Sequence, residues 1–166
     1  MTNENVPGVL IIALLAILAL SACAPTIADL SPEHQTRIKE RVIPASHDIV
    51  FDVVMEMLIE RGYKFIKKDK NSGVIETEYR VTNDSFILDD PLSPHWIKIY
   101  AHLQKQGEDT TKIQTDLSLK PFLGYYLSCG LEPIWKQMIP PYAYDKWFML
   151  IESRSRQTRQ QENAPQ

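Results

Sequence analysis

The amino-acid sequence predicts an α+β fold in which an antiparallel sheet of four to five strands is covered by two amphipathic helices, forming two layers. One segment, 47–61, carries apolar residues at three- and four-residue spacing, as a helix with one buried face does. Two later segments, 96–104 and 110–120, alternate apolar and polar residues, as half-buried strands do. Because the apolar face of such a sheet must be covered, the helices are expected to pack on it.

The segment 47–61 is the most regular of the predicted elements. Ser46 is suited to cap the N-terminus of this helix, and Gly62 is suited to end it. The apolar stripe consists of Ile49, Val50, Val53, Val54, Met57 and Leu58. Upstream, 37–44 alternates weakly and is expected to form a short edge strand.

Two hairpins are expected after this helix. Segments 63–69 and 73–79 flank a polar turn in which Gly73 supplies a positive φ. Segments 96–104 and 110–120 form the second hairpin. Its inward-facing residues are expected to be Ile97, Ile99, Ala101, Leu103, Ile113, Thr115, Leu117 and Leu119.

The C-terminal third combines an irregular segment with a helix. Segment 121–141 is dense in apolar and aromatic residues but has no clean period. From Tyr142 onward, a last helix is expected to carry one apolar stripe. That stripe consists of Tyr144, Trp147, Phe148 and Ile151.

The N-terminal residues carry the signals of export. An apolar run at 9–20 is too short to span a bilayer and suits the core of a secretory signal peptide. The motif Leu20-Ser21-Ala22-Cys23 that follows resembles the lipobox of bacterial lipoproteins. This resemblance implies a lipid on Cys23, which becomes the first residue of the mature protein. Because Ala24 rather than aspartate follows, it also implies attachment to the outer membrane on the periplasmic side.

The expected organisation has four parts. Residues 1–22 form the signal peptide, 23–36 the lipidated N-terminus and a flexible tether, 37–160 a single α+β domain and 161–166 a disordered tail. The 166 residues include 18 basic and 21 acidic side chains, for a formal net charge of −3. This balance lacks the basic excess of nucleic-acid-binding domains, so no nucleic-acid partner is expected.

The sequence predicts no enzyme, metal site or cofactor. The histidines have no second ligand at metal-binding spacing; they are His34, His47, His95 and His102. With Cys23 lipidated, Cys129 is the remaining thiol, so no internal disulfide is expected. A buried, inert Cys129 is the simplest interpretation. Intermolecular pairing and a catalytic thiolate paired with His95 or His102 are the alternatives.

Aromatic residues concentrate between residues 122 and 147. The simplest interpretation is that they fill the core between the sheet and the last helix. The alternative is an exposed patch that binds a partner, because aromatic side chains dominate binding hot spots. The anchors would then be Tyr125, Tyr126, Trp135 and Tyr142.

One family resemblance joins the lipobox to the domain. The stretch from Ser46-His47-Asp48 to Gly62-Tyr63, followed by Asp69 and Gly73-Val74-Ile75, is similar to outer-membrane lipoproteins typified by the helix-grip lipoprotein of the β-barrel assembly machine. It implies a helix-grip domain, in which a long helix lies across a curved sheet. That family carries two such domains and this chain has room for one, so its partner contacts are not transferred.

The expected function follows from these features together. We expect a non-enzymatic, lipid-anchored domain that binds a protein partner as an accessory of an envelope assembly or secretion complex. The alternative is a carrier or sensor that holds an apolar ligand between the helix and the sheet.

Overall fold

The structure, a computed structural model, describes residues 30–82, 95–121 and 139–162. Its elements, in chain order, are α1 (Pro32–Lys39), β1 (Glu40–Ile43), α2 (His47–Glu60), β2 (Phe65–Asp69), β3 (Val74–Thr77), β4 (Arg80–Thr82), β5 (His95–Lys105), β6 (Thr111–Pro121) and α3 (Pro141–Glu162).

The strands form one antiparallel sheet in the order β1-β6-β5-β3-β2, and β4 pairs with β5 beyond the end of β3. Both predicted hairpins are confirmed: β2 pairs with β3, and β5 pairs with β6 along their whole length. The predicted α+β, two-layer class is confirmed as well. The sheet has six strands rather than four or five because it includes the short β4, which the sequence did not predict as a separate strand, and α1 is a third helix.

Helix α2 forms where the apolar spacing predicted it. The Ser46 hydroxyl accepts a hydrogen bond from the backbone N–H of Ile49 at 3.4 Å, which caps the first turn. Gly62 follows the C-terminus with a φ of +70°. Six side chains on the buried face are at most 5% exposed: Val50, Phe51, Val53, Val54, Met57 and Leu58. Burying each contributes about 1.5–3 kcal/mol, so tertiary packing holds this helix.

Helix α3 covers the same face of the sheet with large aromatic residues. Tyr144, Trp147, Phe148 and Ile151 are at most 2% exposed, which confirms the predicted stripe. The Trp147 indole N–H donates to the Thr115 hydroxyl, and the Tyr144 hydroxyl accepts from the backbone N–H of Leu117, both at 3.1 Å. The polar atoms of both rings are therefore satisfied inside the core.

Strand β5 separates the two faces of the sheet. Ile97, Ile99, Ala101 and Leu103 are at most 2% exposed and face the helices, as predicted. Positions of the opposite parity, such as Lys98 and Gln104, lie on the second face, which we call the outer face. The inward residues of β6 are also buried: Ile113, Thr115, Leu117 and Leu119.

The structure corrects the expected tether. Helix α1 begins at Pro32, inside the range 23–36 assigned to a flexible segment. The Ser31 hydroxyl accepts from the backbone N–H of His34 at 3.4 Å, and a proline occupies the first turn. These start signals outweigh the polar composition on which the tether prediction depended. The predicted strand 37–44 accordingly begins three residues later, at Glu40.

The C-terminal boundary also shifts. Helix α3 continues to Glu162, two residues into the expected tail at 161–166. Several predicted features lie outside the described residues: the signal peptide 1–22, Cys23, the segment 122–138 with Cys129, and the last tail residues 163–166. Within the described ranges, no helix combines the length and apolarity needed to cross a bilayer.

Candidate functional site

Tyr142 is the one predicted partner anchor that the structure describes. It lies in the first turn of α3 and is 46% exposed, whereas Tyr144, two residues later, is buried. The helix thus turns one tyrosine to solvent and the other to the core. Tyr125, Tyr126 and Trp135 lie outside the described residues, so their positions relative to Tyr142 stay a prediction.

A second exposed aromatic residue lies on the outer face of the sheet. Trp96 on β5 is 38% exposed, and Val81 on β4, directly opposite it, is 39% exposed. On its other side Trp96 is paired with Lys120 of β6, whose Nζ lies 4.1 Å from the ring centroid of Tyr79. We call these four residues, Tyr79, Val81, Trp96 and Lys120, the Trp96 surface. It combines two aromatic rings, one aliphatic side chain and one lysine at one end of the sheet.

The sequence contains a signal for Trp96 that the list of predicted anchors did not include, namely the two-residue period of β5. Because Ile97 and Ile99 face the helices, the two-residue period of the strand places Trp96 on the outer face. A tryptophan at a solvent-facing strand position exposes apolar area that the fold does not need to expose. Parity alone therefore marked Trp96 as a candidate for contact with another molecule.

Two ion pairs lie farther along the outer face. Lys98 Nζ lies 2.6 Å from Glu76 Oε1, and Lys112 Nζ lies 2.7 Å from Glu40 Oε2. Each of these pairs joins side chains of two neighbouring strands. Glu76 is paired with Tyr100 and Glu40 with Gln114, so both carboxylates lie away from the Trp96 surface along the strands.

A polar depression of about 580 Å³ lies at the N-terminus of α2. His47, Lys70 and His102 are among its lining residues. The His47 ring stacks on Phe51 with 6.2 Å between ring centroids, and Lys70 Nζ lies 2.9 Å from Asp52 Oδ2. The carboxylate of Asp52 raises the pKa of Lys70 by this hydrogen bond. Lys70 is therefore committed to a contact within the protein.

Other shifted titratable groups serve the fold. Hydrogen bonds from Ser72 lower the pKa of Asp69, which closes the β2–β3 turn, and a hydrogen bond from Arg154 lowers the pKa of Glu60. Burial raises the pKa of Tyr144 to about 12. In the part of the chain that the structure describes, no three histidine, cysteine or acidic side chains are grouped to hold a metal ion.

The candidate thiol chemistry falls outside the described residues, since Cys129 does so. Of its proposed partners, His102 lies on the outer face with its Nδ1 3.5 Å from the Gln104 amide nitrogen.

No protein-family model matches the chain, and no curated protein is significantly similar to it in sequence. The described residues offer two exposed aromatic sites for recognition, at Trp96 and Tyr142.

Proposed function

We propose that this chain is a non-enzymatic lipoprotein of the outer membrane, facing the periplasm, that binds a protein partner as an accessory of an envelope assembly or secretion complex. The observation that carries the proposal is the motif Leu20-Ser21-Ala22-Cys23 directly after the apolar run at 9–20. A lipidated cysteine with more than one acyl chain anchors a protein stably, because each buried CH₂ contributes about 0.8 kcal/mol.

The position of α1 supports a short connection to the membrane. Since this helix begins at Pro32, the covalent reach of the chain from Cys23 to Ser31 is at most about 30 Å. A lipid on Cys23 would therefore keep the domain near the bilayer surface. Confinement of this kind raises the effective concentration of the domain near a membrane-bound partner.

The exposed aromatic residues support binding to a protein. Trp96 and Tyr142 are 38% and 46% exposed, and each adds a large rigid side chain that can fill a pocket of a partner.

The described core gives no support to the apolar-ligand alternative. The buried side chains of α2 and the inner side chains of the sheet belong to one cluster whose members are at most 5% exposed. These side chains already fill the space between the helix and the sheet with one another.

The anchor is tested by metabolic labelling with palmitate in cells that make the full-length chain. We expect the wild type to be labelled and to fractionate with the outer membrane. Cys23→Ser should lose the label and accumulate as the unprocessed form. Cys129→Ser is the matched control and should keep both properties. An unlabelled wild-type protein would exclude the proposed anchor.

The partner site is tested by affinity purification from detergent-solubilised membranes. We expect Trp96→Ala and Tyr142→Ala each to reduce recovery of a specific co-purifying protein, while the abundance and thermal unfolding of the chain change little. Met149→Ala is the matched control because Met149 is 67% exposed on the same helix as Tyr142. Equal recovery with all three variants would contradict the placement of the partner site.

A further inference from the structure

Strand β2 is one end of the described sheet, and β1 is the other. Ile66, the second residue of β2, is 57% exposed, an unusual state for a β-branched apolar residue. Lys64, Lys67 and Lys68 lie within two residues of it in the sequence, and all three are exposed. Lys67 is paired with Glu76 and Lys68 with Ile75, so these two lysines lie on opposite faces of the edge. The chain as a whole has a net charge of −3, so this edge is a local positive area on an acidic protein.

These lysines differ from those elsewhere in the domain. Four lysines, Lys39, Lys70, Lys98 and Lys112, lie 2.6–2.9 Å from a carboxylate oxygen. Lys64, Lys67 and Lys68 make no such ion pair with a described residue. Asp69, the nearest acidic residue in sequence to Lys67 and Lys68, accepts hydrogen bonds from residues of its own turn, and the charge of Lys67 is a minor further cause of its lowered pKa.

Lysines on an edge strand discourage pairing with a second copy of the same strand, because like charges would meet. The register shift between Phe65 and Lys67 adds to this effect, since a bulge twists the edge away from regular pairing. The lysines do not oppose a strand of opposite charge, and residues 67–69, beyond the register shift, keep a regular pairing with β3. Three exposed lysines on both faces of the edge, next to one exposed apolar residue, are instead complementary to an acidic extended segment.

We infer that β2 is a docking edge for an extended acidic segment of a protein partner. The segment adds as a strand beside β2 with carboxylates on both of its faces, which pair with Lys64, Lys67 and Lys68, and an apolar side chain covers Ile66. This inference depends on the proposed function in one respect, that a protein supplies the segment.

The opposite edge continues through β1 into α1 and the N-terminus. Four strand spacings, about 19 Å, separate the two edges, so docking at β2 does not compete with an anchor on the N-terminus.

The test uses the full-length protein in detergent and a short, blocked, fluorescent peptide in which pairs of adjacent glutamates alternate with single valines, so that carboxylates occur on both faces of an extended strand. We expect saturable binding by fluorescence anisotropy, with an affinity that falls as salt is added. Two control peptides should bind at least about tenfold more weakly. In one, lysine replaces glutamate and reverses the charge; in the other, proline replaces valine and prevents strand pairing. Equal binding of either control would overturn the inference.

Charge-reversal variants locate the binding. The double variant Lys67→Glu with Lys68→Glu should weaken binding of the glutamate–valine peptide about tenfold or more. Lys64→Glu alone should produce a smaller loss. Lys105→Glu is the matched control, an exposed lysine at the end of β5, and should bind as the wild type does. Circular dichroism checks that each variant is folded. If folded lysine variants bind the glutamate–valine peptide with unchanged affinity, β2 is excluded as the binding site.

The remaining outcomes separate this inference from the proposed function. Failure of palmitate labelling, together with peptide binding that the lysine variants abolish, would remove the anchor and leave the docking edge supported. Labelling with no peptide binding would retain the anchor and overturn the docking edge. Lysine-dependent binding to vesicles of phosphatidylglycerol and phosphatidylethanolamine, without peptide binding, would identify a membrane-contact surface and also overturn it.

Discussion

The two faces of the sheet are built from the same strands but have different compositions. On β5, Ile97 and Ile99 are at most 1% exposed beneath the helices, whereas Trp96 is 38% exposed and Lys98 pairs with Glu76 on the outer face. One step along the backbone separates the residues of the two sets. Apolar burial accounts for the inner face, while ion pairs and accessible aromatic area characterise the outer face.

It follows that stability and recognition can be changed separately in this protein. Burial of apolar area dominates folding, so the inner face should carry most of the free energy of unfolding. Exposed side chains contribute little to that free energy, so the outer face can vary with the needs of a partner. Variants matched between the two faces put this division to the test.

The largest expected effect separates two tryptophans. Trp147→Ala should reduce the free energy of unfolding by about 3–5 kcal/mol, because Trp147 is fully buried and its loss leaves a cavity. It also leaves the Thr115 hydroxyl without its donor. Trp96→Ala should cost less than about 1 kcal/mol. Urea unfolding measures the free energy of unfolding of both variants. Equal losses in Trp147→Ala and Trp96→Ala would contradict the proposed difference between the two faces.

The next effect concerns the turn that holds β2 and β3 in register, since a slip of one residue would exchange the faces of a strand. Gly73 has a φ of +67°, and a Cβ added there would lie 2.0 Å from the Leu103 carbonyl oxygen. Gly73→Ala should therefore cost about 2–3 kcal/mol by thermal or urea unfolding. Gly62→Ala is the matched control. With a φ of +70° but no contact closer than 3.6 Å, it should cost about 1 kcal/mol.

A loss of folding stability of similar size is expected when the hydroxyl of Tyr144, buried between α3 and the sheet, ionises at alkaline pH. Burial raises the pKa of Tyr144 to about 12, and the nearby charge of Asp116 adds to the shift, while the hydrogen bond from Leu117 opposes it. Since the folded pKa lies above the unfolded value of 10.0, the contribution to stability is complete below pH 10 and is lost as pH rises through about 12.

Urea unfolding at a series of alkaline pH values tests this effect. Between pH 10 and pH 12 the wild type should lose about 2 kcal/mol more than Tyr144→Phe, which has no ionisable hydroxyl at that position. Parallel loss in the two proteins would show that Tyr144 ionises with an ordinary pKa and is not shielded by the helix layer.

The smallest effect belongs to the outer face. Lys98 and Glu76 are 26% and 27% exposed at their side chains, and their charged atoms lie 2.6 Å apart. A double-mutant cycle with Lys98→Ala and Glu76→Ala should give a coupling energy of about 0.2–1 kcal/mol that decreases in high salt. A coupling above about 2 kcal/mol would mean that the outer face also carries substantial folding energy.

Local patterns predicted much of the fold. The spacing in α2 and the alternation in β5 and β6 depend on residues close together in the chain, so a period and a cap are enough to recognise them. Helix α1 was missed because its start signals, Ser31 and Pro32, also occur in polar linkers. Tyr142 was predicted as part of the candidate site because it lies in a stretch of sequence rich in aromatic residues. Trp96 was not predicted, although the two-residue period that places Ile97 and Ile99 inside also places Trp96 on the outer face.

Short-range patterns of residues are enough to predict the antiparallel α+β class, the main helix, the two hairpins and the inner residues of the long strands, because these features depend on backbone periodicity. Only the folded chain shows that β1 pairs with β6, that β3 and β4 share one side of β5, and that Trp96 is paired with Val81 and Lys120. These pairings join segments far apart in the chain. Packing across the whole core selects these pairings, and no pattern of neighbouring residues indicates which distant strand a given strand will pair with.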